Sequence, residues 1–259
     1  MHPDWLVNSW LVLDADSQSA VLIDSGGPAD AICTRLRETG AKLHQVICTH
    51  RHPDHVGGNG FYRREFGAEI LGPELERQVI SKVTNGDGNL DRGLTGGEEW
   101  TVGGLTVRIL AVPGHTAGHL AVVVQPSGES NSADDSPLHL FCGDVMFGGS
   151  VGGTVGVGAS GYEDLRHSIM KVLMALPQQT QVHPGHMQST TIGHEWDNNP
   201  VVRFWRELPP EQAPRPCTVF DQAAVLLLEA ADYDGGTKCV IRRDDGSMDV
   251  VPGSKVLLS

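Results

Sequence analysis

Thr49-His50-Arg51-His52-Pro53-Asp54-His55 puts three imidazoles and one carboxylate on one short stretch, at the spacing His-x-His-x-Asp-His. Neutral imidazole nitrogen ligates zinc, iron and copper, and a carboxylate oxygen completes hard or borderline sites. Asp54 alone also reads as a helix cap, but the cluster as a whole reads as a metal-binding loop. Its flanks show how it is presented. His44-Gln45-Val46-Ile47-Cys48 is a short apolar run of the kind that forms a buried strand. Pro53 blocks continuation of a strand ladder, and Gly57 and Gly58 leave room for a close backbone approach. Phe61–Phe66 then reads as a helix closed by Gly67. The histidines are therefore expected at the carboxyl end of a strand, where open α/β sheets carry functional residues.

The same alternation extends both ways from this loop. Trp5–Ala15 and Ala20–Asp24 read as strands around a polar turn. Pro28 opens a helix with Ile32, Cys33 and Leu36 on one face and Gly40 at its end. Downstream, Ala68–Leu71 is a strand and Pro73 opens a helix. Ser81–Glu98 is long, polar and aperiodic, the texture of a lid or mobile segment. Trp100–Val102, Leu105–Val112, Leu120–Gln125 and Leu138–Cys142 read as strands, with Ser127–Pro137 a polar surface excursion. Gly148–Gly161 carries seven glycines in fourteen positions. Glu163–Leu176 is helical, with Leu165, Ile169, Val172, Leu173 and Leu176 in one stripe. Thr180–Val182 is the last strand before the texture changes. Pro209, Pro210, Pro214 and Pro216 mark a linker, after which Ala223–Ala231, Lys238–Arg243 and Asp249–Ser259 read as three strands joined by Gly-containing turns. The expected organisation is a catalytic α/β unit over residues 1–208 and a linker with a small β-rich extension over 209–259.

Composition narrows the partners. The 259 residues carry a formal charge of −13, a field that repels phosphate backbones and anionic membranes. No apolar run approaches membrane-spanning length and no secretory leader is visible. The five cysteines are odd in number and dispersed, so reduced thiols and a cytoplasmic location are expected. Cys142, two residues before Asp144, is the thiol whose oxidation would disturb the site.

One loop rarely completes a two-metal site. Three further strand ends offer a ligand behind a glycine: Pro113-Gly114-His115, Gly143-Asp144 and Pro184-Gly185-His186. Alone, His115 or His186 reads equally well as a surface histidine; beside the cluster, the repeated context joins them to it. Asp24, at a strand end, is either a partner for a ligand imidazole or a turn residue. His119 is either a supporting group or an ordinary buried histidine.

These motifs resemble the metallo-β-lactamase-fold hydrolases, specifically the small glyoxalase II-like branch. Thr49–Gly58 is similar to Thr-His-x-His-x-Asp-His-x-Gly-Gly, and Pro113–His119 to Pro-Gly-His-Thr-x-Gly-His. Gly143-Asp144 with Phe147-Gly148-Gly149-Ser150 resembles the segment that bears the bridging aspartate. Pro184–Pro200, with Thr190, Glu195 and Asn199, resembles the end of the catalytic domain. The resemblance implies a four-layer αββα sandwich with a short C-terminal β extension. It implies His50, His52 and His115 on one metal, Asp54, His55 and His186 on a second, and Asp144 on both. The metals would be zinc, with iron or manganese as alternatives. Asp54 would be catalytic, with Asp24 and His119 behind the ligands. The implied reaction is hydrolysis of a small acyl compound, a thioester first, by a metal-activated water. A lactone fits the same ligands. A mononuclear-iron persulfide dioxygenase would need only a histidine of the cluster, His115 and Asp144, and a non-catalytic metal-binding module would use the extension for interaction or homodimerisation. Two departures stand out. Gly152-Gly153-Thr154-Val155 replaces a Gly-Arg-Thr-Asp segment, and Met187 stands where glycine follows the ligand histidine. The glutathione-binding helical domain of full-length glyoxalase II has no counterpart.

Overall fold

The computed structural model of the chain describes residues 6–127, 138–208 and 212–258. Trp5, Pro209, Pro210, Ser259 and the excursion past Ser127 as far as Pro137 lie outside these residues.

Two sheets face each other. The first contains β1 (Trp10–Asp14), β2 (Ser19–Ile23), β3 (Lys42–Ile47), β4 (Glu69–Pro73) and β5 (Arg92–Leu94), in that spatial order. β1 and β2 form an antiparallel hairpin, and β2 to β5 run parallel. Parallel strands need crossovers, supplied by α1 (Ala29–Thr39), by α2 (Pro53–Val56) with α3 (Asn59–Phe66), and by α4 (Arg77–Val83). The second sheet contains β6 (Glu99–Val102), β7 (Leu105–Ala111), β8 (Leu120–Pro126) and β9 (His139–Gly143). A short hairpin, β10 (Met146–Phe147) with β11 (Ser150–Val151), follows β9. β12 (Gln181–Pro184) and β13 (Thr190–Thr191) then extend the second sheet on the β9 side.

The burial pattern explains the layering. Val21, Ile23, Ile47 and Leu71 point from the first sheet into a shared core with Val107, Ile109, Val122 and Phe141 of the second. Their neighbours Ala20, Leu22 and Val46 point the other way, onto Leu36, Tyr62 and Ile80 of the helices. The opposite face of the second sheet, through Ala121, Val123 and Leu140, packs on α5 (Tyr162–His167) and α7 (Pro200–Trp205). Alternate residues of each strand thus serve different layers, as a two-residue side-chain period requires. Each fully buried aliphatic side chain contributes about 1.5–3 kcal/mol.

The helix expected over Glu163–Leu176 is one helical run, but not a uniform one. It passes from α5 through a π turn at Ser168–Val172 into a 3₁₀ turn at Leu173–Ala175. Ser168 is buried there and its hydroxyl donates to the Pro113 carbonyl at 2.7 Å, tying the helix to the His115 loop. α6 (Ile192–Asn198), capped by the Thr191 hydroxyl, precedes α7.

Ser81–Glu98 is not a lid. α4 continues to Val83, β5 extends the first sheet, and Leu90 and Leu94 are buried. Arg63 donates to the Asp87 carbonyl at 2.7 Å and pairs with Asp91 at 2.8 Å, and Arg64 pairs with Asp87. The polar texture belongs to a surface stapled by ion pairs.

The β-rich region holds five strands rather than three: β14 (Arg215–Val219), β15 (Gln222–Ala231), β16 (Thr237–Arg243), β17 (Met248–Pro252) and β18 (Val256–Leu258). β14 was hidden in the sequence by Pro216, which sits near the start of the strand, ahead of the Cys217–Val219 stretch that pairs with β18. A bulge in β15 between Leu226 and Leu228 shifts its register against β16. The shift turns Leu226 and Ile241 into the sheet's own core, but Leu228 and Val240 into the core shared with α5 and α7. This sheet is therefore packed onto the sandwich rather than tethered beside it.

Candidate metal centre

Four connections bring the polar residues to one edge of the sandwich. Thr49–His55 follows β3, Pro113–His119 joins β7 to β8, Asp144 follows β9, and His186 follows β12. Pro53 occupies the first turn of α2 with His52 as its cap, so the motif is itself a helix start rather than a free loop.

The donor atoms form two groups. One atom each from His50, His52, His115 and Asp144 lie within 4.8 Å of one another, as do one each from Asp54, His55 and His186. In the first group, His52 Nδ1 stands 2.9 Å from His50 Nε2 and 3.1 Å from His115 Nε2. Metal–nitrogen bonds of about 2.0–2.1 Å in a tetrahedron give ligand–ligand edges of about 3.3 Å, so this convergence has the size of a coordination shell. In the second, Asp54 Oδ2 is 3.6 Å from both His55 Nε2 and His186 Nε2. Asp144 faces both groups. Its Oδ2 is 3.6 Å from His115 Nε2 and 3.3 Å from His186 Nε2, and its Oδ1 is 3.3 Å from His55 Nε2.

The donors fit a cation on a further count. His55 Nε2 and Asp144 Oδ1 are buried without a hydrogen-bond partner. They are close to each other but lack hydrogen-bond alignment, which leaves both to a third group. An orphaned buried polar atom costs about 1–3 kcal/mol. Four of the remaining ring nitrogens are engaged. His50 Nδ1 meets Thr49 Oγ1 at 3.0 Å, His55 Nδ1 meets Asp24 Oδ2 at 2.7 Å, His115 Nδ1 meets the Gly153 carbonyl at 3.2 Å, and His186 Nδ1 meets the Leu6 carbonyl at 3.1 Å. Such partners fix tautomer and ring orientation.

Electrostatics differ between the groups. Burial keeps His50 well below the ordinary imidazole range and lowers His115 to about 4, so both present neutral nitrogens. Burial also opposes charge on His55 and His186, but Asp144 outweighs it, with help from Asp24 at His55, and both rings are raised. Asp144 answers in kind: burial works against its charge, and His55 and His186 hold the carboxyl well below its usual range.

Asp24 and His119 stand behind the donors. Asp24 accepts from the Thr49 amide at 2.7 Å and the Thr49 hydroxyl at 2.9 Å as well as from His55. It does so from a left-handed backbone conformation, φ 55°. Asp24→Asn, which offers His55 a neutral acceptor, is expected to weaken metal binding about 10–100-fold, read by chelator competition. His119 stacks on His50 at 4.5 Å and accepts the Asp144 amide through Nε2 at 3.2 Å, its Nδ1 donating to the Leu120 carbonyl. It therefore holds the backbone of Asp144. Cys142 is inert rather than oxidation-prone: burial pushes its thiol up to about 12. All five cysteines are free and buried.

The two sequence departures have local explanations. Gly153 and Thr154 are turned toward the added sheet, where the Thr154 amide donates to the Val250 carbonyl at 2.9 Å and the Val250 amide to the Thr154 hydroxyl at 2.8 Å. Met187 adopts φ 69°, the conformation that glycine takes without strain. Asn8 holds the turn by donating to the Met187 carbonyl at 2.7 Å. Gly185, just before the ligand, has no such latitude: a Cβ there would lie 2.3 Å from Asp144 Oδ1. Met187→Gly relieves about 1–2 kcal/mol of strain and returns about 0.4–1 kcal/mol of unfolded-state entropy. The expected net gain of about 1 kcal/mol raises the melting temperature by about 2–4 °C in calorimetry.

Sequence reasoning missed Tyr233. It lies in the turn between β15 and β16, and its ring stacks on His186 with centroids 4.4 Å apart and planes 8° apart. The sole sequence signal was an aromatic residue inside the polar Asp232–Gly236 turn.

Comparison with known proteins identifies what the chain is similar to. The metallo-beta-lactamase superfamily model matches residues 2–128. A hydroxyacylglutathione hydrolase of Pseudomonas entomophila is 31% identical, covering 79% of this chain and 68% of that protein. Hydroxyacylglutathione hydrolase GloC of Haemophilus influenzae is 33% identical, covering 75% of this chain and 92% of that protein. Among solved structures, the BLEG-1 B3 metallo-beta-lactamase superposes with a TM-score of 0.63 at 30% identity, over 76% of this chain and 94% of that one. A protein crystallised in a di-iron-bound form superposes at 0.58 and 28% identity, over 78% of this chain and 97% of that one.

Proposed function

This chain belongs to the metallo-beta-lactamase superfamily as a metal-dependent hydrolase, and from that premise we propose that it is a dinuclear enzyme cleaving a small acyl compound, a thioester first. His50, His52 and His115 would hold one divalent metal, Asp54, His55 and His186 the other, and Asp144 both. The observation that carries this reading is the bridging position of Asp144 between two complete donor groups. Zinc suits the nitrogen-rich set, and iron is compatible with it. When bound, such a metal pair supplies Lewis acidity, lowering the pKa of a water and polarising the acyl oxygen.

The protein's own residues supply the rest. Asp54 is the acid of the site that solvent reaches, 26% exposed at its side chain against 8% for Asp144. Asp54 orients the attacking water, accepts its proton and returns it to the leaving sulfur. The buried histidines hold a fixed array of nitrogens. No helix among the described residues is long and apolar enough to cross a membrane.

The test is hydrolysis of S-D-lactoylglutathione by protein loaded with two equivalents of zinc. Turnover lost on chelation supports thioester hydrolysis. A fully metallated protein without turnover removes it and brings lactones forward. Similarity to a B3 metallo-beta-lactamase warrants a cyclic amide in the same assay.

A further inference from the structure

We infer that Tyr233 is a positioning residue for the centre, fixing the His186 ring so that the Asp54–His55–His186 group closes. The β-rich region is then a working part of the site. The inference rests on the metal reading above.

His186 is held by contacts remote in the chain. Its Nδ1 has one partner, the carbonyl of Leu6, which is 180 positions away and itself at φ 53°. It precedes Met187, whose backbone is also left-handed. By contrast, His55 has the Asp24 carboxylate, which is locked in turn by Thr49. A single hydrogen bond leaves an imidazole free to tilt about that contact. A flat ring laid parallel on its face removes this freedom, and Tyr233 supplies one. Phe147 touches both partners, 5.0 Å from Tyr233 and 5.9 Å from His186 between centroids, so three rings form one packed group.

The turn that delivers Tyr233 is rigidly held. Asp232 pairs with Lys238 at 2.8 Å, the side chains 4% and 8% exposed. Asp232 also accepts from the Ser150 hydroxyl at 3.0 Å. Ser150 is in the β10–β11 hairpin that follows Asp144, and the buried Asn199 amide donates to its carbonyl at 3.0 Å. Both faces of the His186–Tyr233 stack are therefore referred to the segment that carries the bridging carboxylate. A buried ion pair is strongly destabilised when one partner is removed, so it is a costly tether to place where no register is needed.

The experiment is a chelator-competition titration that resolves the affinity of each metal equivalent. It compares the full-length wild type with Tyr233→Phe, Tyr233→Leu and Tyr233→Ala. Leucine fills space without a flat face and guards against a variant that fails to fold. The expected result is a second equivalent weakened about 10–100-fold in Tyr233→Leu and Tyr233→Ala, with the first unchanged and Tyr233→Phe like wild type. Wild-type affinity for both equivalents in folded Tyr233→Leu overturns the inference, as does equal weakening of both. A wild type that binds fewer than two equivalents instead overturns the dinuclear reading, and the two failures are thereby distinguished.

Discussion

Asp144→Asn protein is expected to emerge with at least one metal equivalent missing and kcat/KM lowered by roughly 10³-fold or more. The carboxylate oxygens of Asp144 lie 3.3–4.0 Å from Nε2 of four histidines, His50, His55, His115 and His186. Asparagine keeps the shape, but it removes the charge and points an N–H at nitrogens or a cation that need an acceptor. The change also leaves the buried His55 and His186 without the carboxylate that raises both. Elemental analysis and steady-state kinetics on the same sample are the readouts. Two retained equivalents with wild-type turnover would remove Asp144 from the centre.

Asp54→Asn separates metal binding from proton transfer. Its side chain is partly exposed, so the substitution is expected to change stability by less than about 0.5 kcal/mol. The asparagine oxygen still faces His55 and His186, but the lost charge weakens the second metal equivalent, so turnover is measured on protein saturated with metal. Turnover falls by roughly 10²–10⁴-fold, the range expected when a positioned acid–base group is lost, and KM changes little. A variant with full metal and full kcat would show that another group moves the proton. With Asp144→Asn, the pair predicts two distinct defects at carboxylates that serve the same cluster.

Much of this centre was legible in the sequence because each donor follows a strand that ends in a recognisable way. His50 to His55 form one contiguous motif, and His115, Asp144 and His186 each sit behind a glycine at a strand end. Gly185 shows why: its missing Cβ is the space Asp144 occupies. Leu105–Val112 and Leu120–Gln125 were legible as apolar strands and became β7 and β8, whereas the two-sheet sandwich was legible through the motif resemblance.

What was hidden depends on tertiary partners. Ser81–Glu98 looked mobile because it is polar, yet Arg63 and Arg64, from another helix, hold it. β14 was disguised by Pro216. The π turn at Ser168 follows from a hydroxyl reaching the Pro113 carbonyl, a contact with no local signature. Tyr233 is the clearest case. Its role depends on the β15 bulge and on packing of a distant sheet, neither of which has a spacing rule relative to His186.

The attachment of His186 to Leu6, across 180 positions, has a consequence for the nascent chain. His50, His52, His115 and Asp144 have all been polymerised by residue 144, whereas His186 and the Tyr233 that stacks on it come later. Chains are synthesised at about 5–20 residues per second, and domains fold largely as units. Vectorial synthesis therefore orders the donors in time: the seventh, His186, is added about 2–8 seconds after Asp144, and Tyr233 later still.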